Sequence, residues 1–190
     1  MSSVVLSGDT SGSITLDAPA VAGSSVQTLV AATGTLAPLI ADTAKTASGT
    51  SVDFTSIPSW VKRITVMFNG VSTNGTSPII VQIGDSGGFE GTGYVSTAGA
   101  MTSTAAATSN QTGGYLVAAT ANAANTCTGH AVLTKVDGNT WVCSAVARSG
   151  TALITYAAGD KTLSDTLDRL RVTSVSSDTF DAGTINILYE

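Results

Sequence analysis

The chain has 190 residues, and only 11% of them are charged, against about a quarter in an average globular protein. With 43% apolar residues and a net charge of −5 the chain does not read as disordered. Its 8 Lys and Arg are too scattered to form the basic stripe that nucleic acid requires, and no run approaches the roughly 20 apolar residues of a membrane helix.

Residues 1–46 carry no aromatic side chain, and Lys45 is the first basic one. Val4-Val5-Leu6, Ser13-Ile14-Thr15-Leu16 and Val26-Gln27-Thr28-Leu29-Val30 are short strand-like runs, separated by Gly8-Asp9, Gly12, Pro19 and Gly23. A lone hairpin of such strands is at best marginal in water. The segment reads either as a loose tail or as an extended N-terminal arm that docks strand-wise on another copy or another protein, and the apolar runs favour the arm. Its first residues, MSSVVLSGDTSG, have neither the basic start nor the long apolar core of a secretory signal.

Regular strand signals begin near residue 47, which sets the expected boundary between an arm, 1–46, and a β domain, 47–190. Val52 and Phe54 alternate with polar neighbours, Ile57-Pro58-Ser59-Trp60 turns the chain, and Ile64, Val66 and Phe68 alternate again. Pro58 cannot donate to a sheet ladder and so belongs between strands. Strands follow at 78–84 (PIIVQIG), 94–97, 114–119, 129–136, 140–147, 152–157, 167–175 and 184–189. Asp137-Gly138 between two strand patterns predicts a tight hairpin. The Ala/Ser/Thr-rich segment 98–111 reads as a loop, Gly159-Asp160 as a turn, and Ser164–Leu170 admits one helical turn capped by Ser164. The fold class expected is all-β, an antiparallel β-sandwich or jelly roll. Trp60, Trp141, Leu153 and Ile154 are counted in its core beside Phe54, Ile57, Ile64, Val66, Phe68, Ile80, Val81, Ile83, Leu116, Leu133, Leu170, Val172, Ile185 and Ile187. Trp60 is expected to plug the base of the sandwich.

Gly84-Asp85-Ser86-Gly87-Gly88 spells the nucleophile motif of trypsin-like serine proteases, in which a His oriented by a buried Asp activates the Ser. Here the single His, His130, follows Ser86, and no Ala-Ala-His-Cys element precedes the motif. The same residues suit a tight turn after a strand. The turn is the expectation, no catalytic residue is assigned, and a serine hydrolase using Ser86 is the reading that the spacing disfavours. No Cys-x-x-Cys pair, second His or Asp-x-Asp-x-Asp run points to a metal, and no cofactor is expected. Cys127 and Cys143 could lie close on neighbouring strands, yet two free thiols are favoured over a disulfide. Asp178 and Asp181 read as turn caps; Arg169 and Arg171, near Asp165 and Asp168, read as salt-bridged or solvated and not as an anion site. Tyr94, Tyr115, Tyr156 and Tyr189 are divided between burial and an exposed sugar-stacking platform.

The run 12–23 (GSITLDAPAVAG), followed by Ala31-Ala32-Thr33-Gly34-Thr35-Leu36, resembles segments of tailed-bacteriophage fibre and virion structural proteins that precede a C-terminal β domain. Residues 52–72, the turn at 83–88, Gly93-Tyr94 and the C-terminal 180–190 resemble such domains too. The resemblance covers most of the chain apart from a loose middle near 98–128. It implies a virion structural protein, homotrimeric and assembled in the host cytoplasm, whose partners are its own copies and phage capsid or tail proteins. It transfers no catalytic residue. The chain has no shaft and no heptad coiled coil, so the expected role is capsid decoration or head spike. The alternative is a tail-fibre tip, a receptor-binding adhesin for a host surface glycan. The expected assembly contacts are Ile14, Leu16, Val26 and Leu29 of the arm.

Overall fold

Residues 3–7, 13–17, 38–118 and 122–190 are described, in a computed structural model. The chain divides into two units, Met1–Leu36 and Ala37–Glu190. In the first, β1 (Ser3–Ser7) and β2 (Ser13–Asp17) form an antiparallel hairpin that pairs Ser3 with Asp17 and Ser7 with Ser13.

The second unit is all-β. Its strands are β3 (Ile40–Ala41), β4 (Lys45–Thr46), β5 (Ser51–Thr55), β6 (Arg63–Thr73), β7 (Ile79–Asp85), β8 (Gly88–Phe89) and β9 (Val95–Met101). They continue with β10 (Ala106–Gln111), β11 (Tyr115–Ala118), β12 (Cys127–Asp137), β13 (Thr140–Ser149), β14 (Leu153–Thr162), β15 (Arg169–Ser174) and β16 (Phe180–Tyr189). A nine-stranded sheet runs β10-β9-β14-β13-β12-β6-β16-β3, with β4 also on β16. A five-stranded sheet runs β11-β7-β15-β5, with β8 on β7. Every pairing is antiparallel.

Alternation decides which face is buried. Ile64, Val66 and Phe68 of β6, Leu133 of β12, Trp141 of β13, and Ile185 and Ile187 of β16 point inward from the large sheet. They form one cluster with Phe54, Val81, Ile83, Leu170 and Val172 of the small sheet. This is the interior of a β-sandwich, in which each fully buried large side chain contributes roughly 1.5–3 kcal/mol. β11 is buried along its whole length. Tyr115 and Val117 belong to the main cluster, while Leu116 packs with Ile80, Ala98 and Ala100 in a second one. The β9 end of the large sheet therefore covers the other side of β11.

Several expectations change. The second unit starts at Ala37 and takes in residues that the composition break assigns to the arm, because β3 and β4 pair with β16. The segment 98–111 is not a loop: most of it forms the regular β9–β10 hairpin. No turn occurs at Gly159-Asp160; β14 continues to Thr162, with Gly159 between Cys143 and Ser96. Ser164–Leu170 makes no helix.

Trp60 is not in the core: it is 39% exposed, as is Ile154 at 47%, and Leu153 is half-buried. The corner between β5 and β6 crosses from one sheet to the other. The Val61 N–H donates to the Pro58 carbonyl oxygen at 3.1 Å. That turn sends Ile57 and Val61 inward and Trp60 outward, tilted at 52° against Tyr189 with ring centroids 6.0 Å apart. Asp137-Gly138 does make the predicted hairpin, with Gly138 at φ 49° joining β12 to β13.

Candidate functional site

The protease-like motif is a structural turn. β7 ends at Asp85, and the chain reverses at once into β8, pairing Gly84 with Phe89 and Asp85 with Gly88. The strands approach so closely at Gly84 that a Cβ there would overlap the Gly88 carbonyl oxygen and lie 2.8 Å from the Phe89 Cα. Asp85 is buried. Its Oδ1 accepts from the Gly87 N–H at 2.8 Å, and its Oδ2 accepts from the Ser164 hydroxyl at 2.7 Å and the Asp165 N–H at 2.8 Å. These bonds tie the hairpin to the loop between β14 and β15. Ser86 is exposed at the hairpin tip of the small sheet, and His130 is exposed on β12 in the large sheet. Among the described residues the two share no hydrogen bond.

Glu90 extends this polar knot. Its Oε1 accepts from the Ser164 N–H at 2.8 Å and the Ser164 hydroxyl at 3.0 Å, and its carboxylate pairs with the largely buried Lys161. Burial pushes the Glu90 carboxyl up, but Lys161 and Ser164 outweigh it and hold the group below its usual range. Asp85 is also held low, first by the Ser164 hydroxyl and then by the Gly87 N–H. Arg171 holds Asp53 low through two bonds of 2.7 Å, and its guanidinium lies 4.1 Å from the Phe89 ring centroid. Such bidentate, stacked pairing is the geometry that Arg favours. Arg169 is likewise bound to Asp168. Both guanidinium groups are thus engaged with carboxylates.

A carboxyl whose folded-state pKa lies below its unfolded value, near 4 for Asp, stabilises the fold above that value, and the contribution is lost as pH falls toward the folded-state pKa. Urea midpoints of the wild-type chain are expected to hold down to about pH 4 and then fall. Asp85→Asn is expected to lower the midpoint at pH 7 and to flatten that acid limb, whereas Ser86→Ala leaves both unchanged. A Ser86→Ala chain as destabilised as Asp85→Asn would contradict the structural account of the motif.

The remaining candidates are dispersed. Asp178 accepts from the Ser77 N–H at 2.8 Å, and Asp181 accepts from the Ser72 hydroxyl, so each carboxylate secures a loop. Cys127 and Cys143 are free and buried, and burial pushes their thiols up to about 11 and about 12. They sit on paired strands, but Cys143 faces Leu133 while Cys127 faces Ser149. Along β12 that separation is on the order of 20 Å, which no disulfide spans. Among the described residues no group of three or more His, Cys, Asp or Glu could hold a metal ion.

Tyr94 and Tyr115 are buried, edge to face at 5.0 Å. Ile14 and Leu16 lie in β2, where only the backbone pairing is described, and Val26 and Leu29 lie outside the described residues.

One surface was not anticipated. The outward face of the large sheet exposes Val95, Met101, Val142, Val146, Ile154 and Tyr156. The registers place Thr108, Gly99, Tyr156, Val146, His130, Met67 and Asn186 in one row across seven strands. The Tyr156 ring covers Gly99, where a Cβ would lie 2.7 Å from the Tyr156 Cε2. Beside it is a shallow depression of about 440 Å³ lined by Thr97, Gly99, Ala106, Thr108, Tyr156 and Ala158. The signal for this face is the register of 153–158: Thr155 is buried, so Ile154 and Tyr156 must point out. Apolar residues on both parities of β14 make that choice ambiguous without the partner strands.

Comparison of the chain with protein-family models, curated proteins and solved structures found no match.

Proposed function

We propose that the protein is a structural component of a bacteriophage virion, displayed at the particle surface and anchored through its N-terminal unit. The observation that carries this reading is the division of the chain. A β-sandwich with a large core is preceded by a separate unit in which the structure described is a two-stranded hairpin. Such a hairpin is marginal in water, so it gains most from a partner surface. The resemblance of 12–23 and 31–36 to virion proteins supports the same reading, as does a surface poor in charge on which many copies can crowd. Anchoring is by strand addition and apolar burial, with Ile14, Leu16, Val26 and Leu29 as contacts, and copies associate as a homotrimer in the host cytoplasm before or during particle assembly. The position is capsid decoration or a head spike.

A chain lacking residues 1–36 is expected to be missing from purified particles while still accumulating as folded protein in infected cells. Incorporation at the wild-type level would remove the anchoring role.

The tail-fibre tip is the second reading, and the exposed Trp60 ring, backed by the half-buried Tyr189, favours it. The Trp60 ring, near Lys62, Arg63 and Glu190, offers the apolar plane and polar rim on which a sugar ring stacks. In that case Trp60→Ala abolishes binding to host cells.

A further inference from the structure

β10 forms one edge of the nine-stranded sheet. Ala106–Gln111 pairs with Ser96–Met101 along its whole length without a bulge, and among the described residues no strand pairs with its other side. Soluble proteins guard such edges with Lys, Pro, bulges, inward charges or a covering segment. The strand itself, Ala-Ala-Thr-Ser-Asn-Gln, has no Lys, Pro or charge, and no Asp, Glu, Lys or Arg occurs between Glu90 and Lys135. Ala106, Ala107, Thr108 and Asn110 are exposed. Next to the edge, Met101, Ile154 and Tyr156 are each 42–47% exposed on the outward face.

We propose that β10 is an interface between two copies of this chain, which pair their β10 strands antiparallel across a two-fold axis normal to the sheet. The large sheet then runs unbroken through both subunits. The occupant follows from symmetry. Residues opposite each other in an antiparallel pair share a face, so a two-fold axis can set Thr108 against Thr108, Ala107 against Ser109 and Ala106 against Asn110. Small residues and hydroxyl pairs of this kind suit cross-strand positions. A strand that meets its own copy across such an axis brings each charge near its like, so a charged edge repels itself. This edge carries no charge to repel. The same symmetry puts Met101, Ile154 and Tyr156 of both copies on one side of the joined sheet, where they extend a single apolar strip.

The inference is independent of the virion reading. It is also distinct from any three-fold association through the N-terminal unit: the edge contact at least doubles whatever that unit builds. Sedimentation of the full chain is expected to show a dimer or a higher even multiple. Thr108→Lys, which places two ammonium groups at the axis, is expected to cut the mass at least twofold while the chain keeps its β-sheet circular dichroism and a cooperative urea transition. Thr108→Cys in the full chain is expected to give a covalent dimer joined at position 108 on oxidation. Cys127 and Cys143 are buried, and opposed Cα atoms about 4.5–5.5 Å apart suit a disulfide. A monomeric wild-type chain, an unchanged mass for Thr108→Lys, or an oxidised Thr108→Cys chain without a cross-link at 108 would each overturn the proposal.

Discussion

Trp141→Ala is expected to cost about 3–5 kcal/mol of stability, while Trp60→Ala costs about 1 kcal/mol or less. The two tryptophans separate the interior of the sandwich from its corner. Trp141 is 1% exposed, in the alternating row Trp141, Cys143, Ala145 and Ala147 that β13 turns inward. The Tyr115 hydroxyl donates to the Trp141 carbonyl oxygen at 2.9 Å, which links β13 to the small sheet's edge strand β11. Truncation there leaves a cavity bordered by rigid strands from both sheets, and such a site relaxes little. Trp60 rests on one side against Tyr189 and meets solvent on the other. Its loss forfeits a tilted aromatic contact, an effect of about 1 kcal/mol or less. Urea unfolding of the two variants checks the difference. Equal losses would mean that Trp60 plugs the sandwich after all.

The second large effect concerns where the domain begins. Removal of residues 1–36 is expected to change the stability of the β unit by no more than about 0.5 kcal/mol, as for changes outside a cooperative core. Removal of residues 1–46 is expected to cost about 2–4 kcal/mol, from several ladder hydrogen bonds worth about 1 kcal/mol each plus the cover lost from β16. β3 sets Ile40 against Tyr189 and Ala41 against Leu188; β4 sets Lys45 against Ile185 and Thr46 against Thr184. The Asp42 N–H donates to the Ile187 carbonyl oxygen at 3.0 Å. The Lys45 ammonium donates to the Asp53 carbonyl oxygen and lies 4.5 Å from the Phe54 ring centroid. Without these residues β16 becomes a bare edge from Thr184 to Tyr189, while Ala47 and Gly49 still bond to its start. Equal midpoints for the two truncations would place the boundary at residue 47, where the composition changes.

Much of the second unit is legible in the sequence because period-two alternation is its dominant signal. Ile64, Val66 and Phe68, and Ile185 and Ile187, announce their inward face without help from the rest of the chain. Asp137-Gly138 announces the hairpin between the two central strands. The failures share a cause. Ala98–Gln111 holds small residues on both parities, so its strand state comes from pairing, β9 on β14 and β10 on β9, and not from local preference. Gly159 looks like a turn but sits between two strands. Lys45 and Thr46 lack an apolar pattern, and their place on β16 comes from backbone pairing. Trp60 is large and apolar, but four-residue turn geometry sends its side chain outward.

The polar sites were legible in part. Pairing of Arg169 with Asp168 follows from their adjacency in the chain, whereas the partner of Arg171 is Asp53, which only the β15–β5 register sets opposite it. The turn role of Gly84–Gly88 could be argued from the glycines and from the order of Ser86 and His130. The use of Asp85 as the anchor for Ser164 and Asp165 could not, because those residues are distant in the chain and the pairing of β15 with β7 brings them together. Likewise the exposed row through Tyr156 and Val146 depends on the pairing of seven strands. The guard-free edge at β10 is visible as a charge-free stretch only once that stretch is known to end a sheet.

The most direct measurement is the copy number and position of the protein in purified particles, from quantitative mass spectrometry and cryo-electron microscopy. The proposal predicts many copies distributed over the shell, each attached through residues 1–36. A few copies confined to the tail would move the assignment to the fibre tip, and particles without the protein would contradict a structural role in the virion.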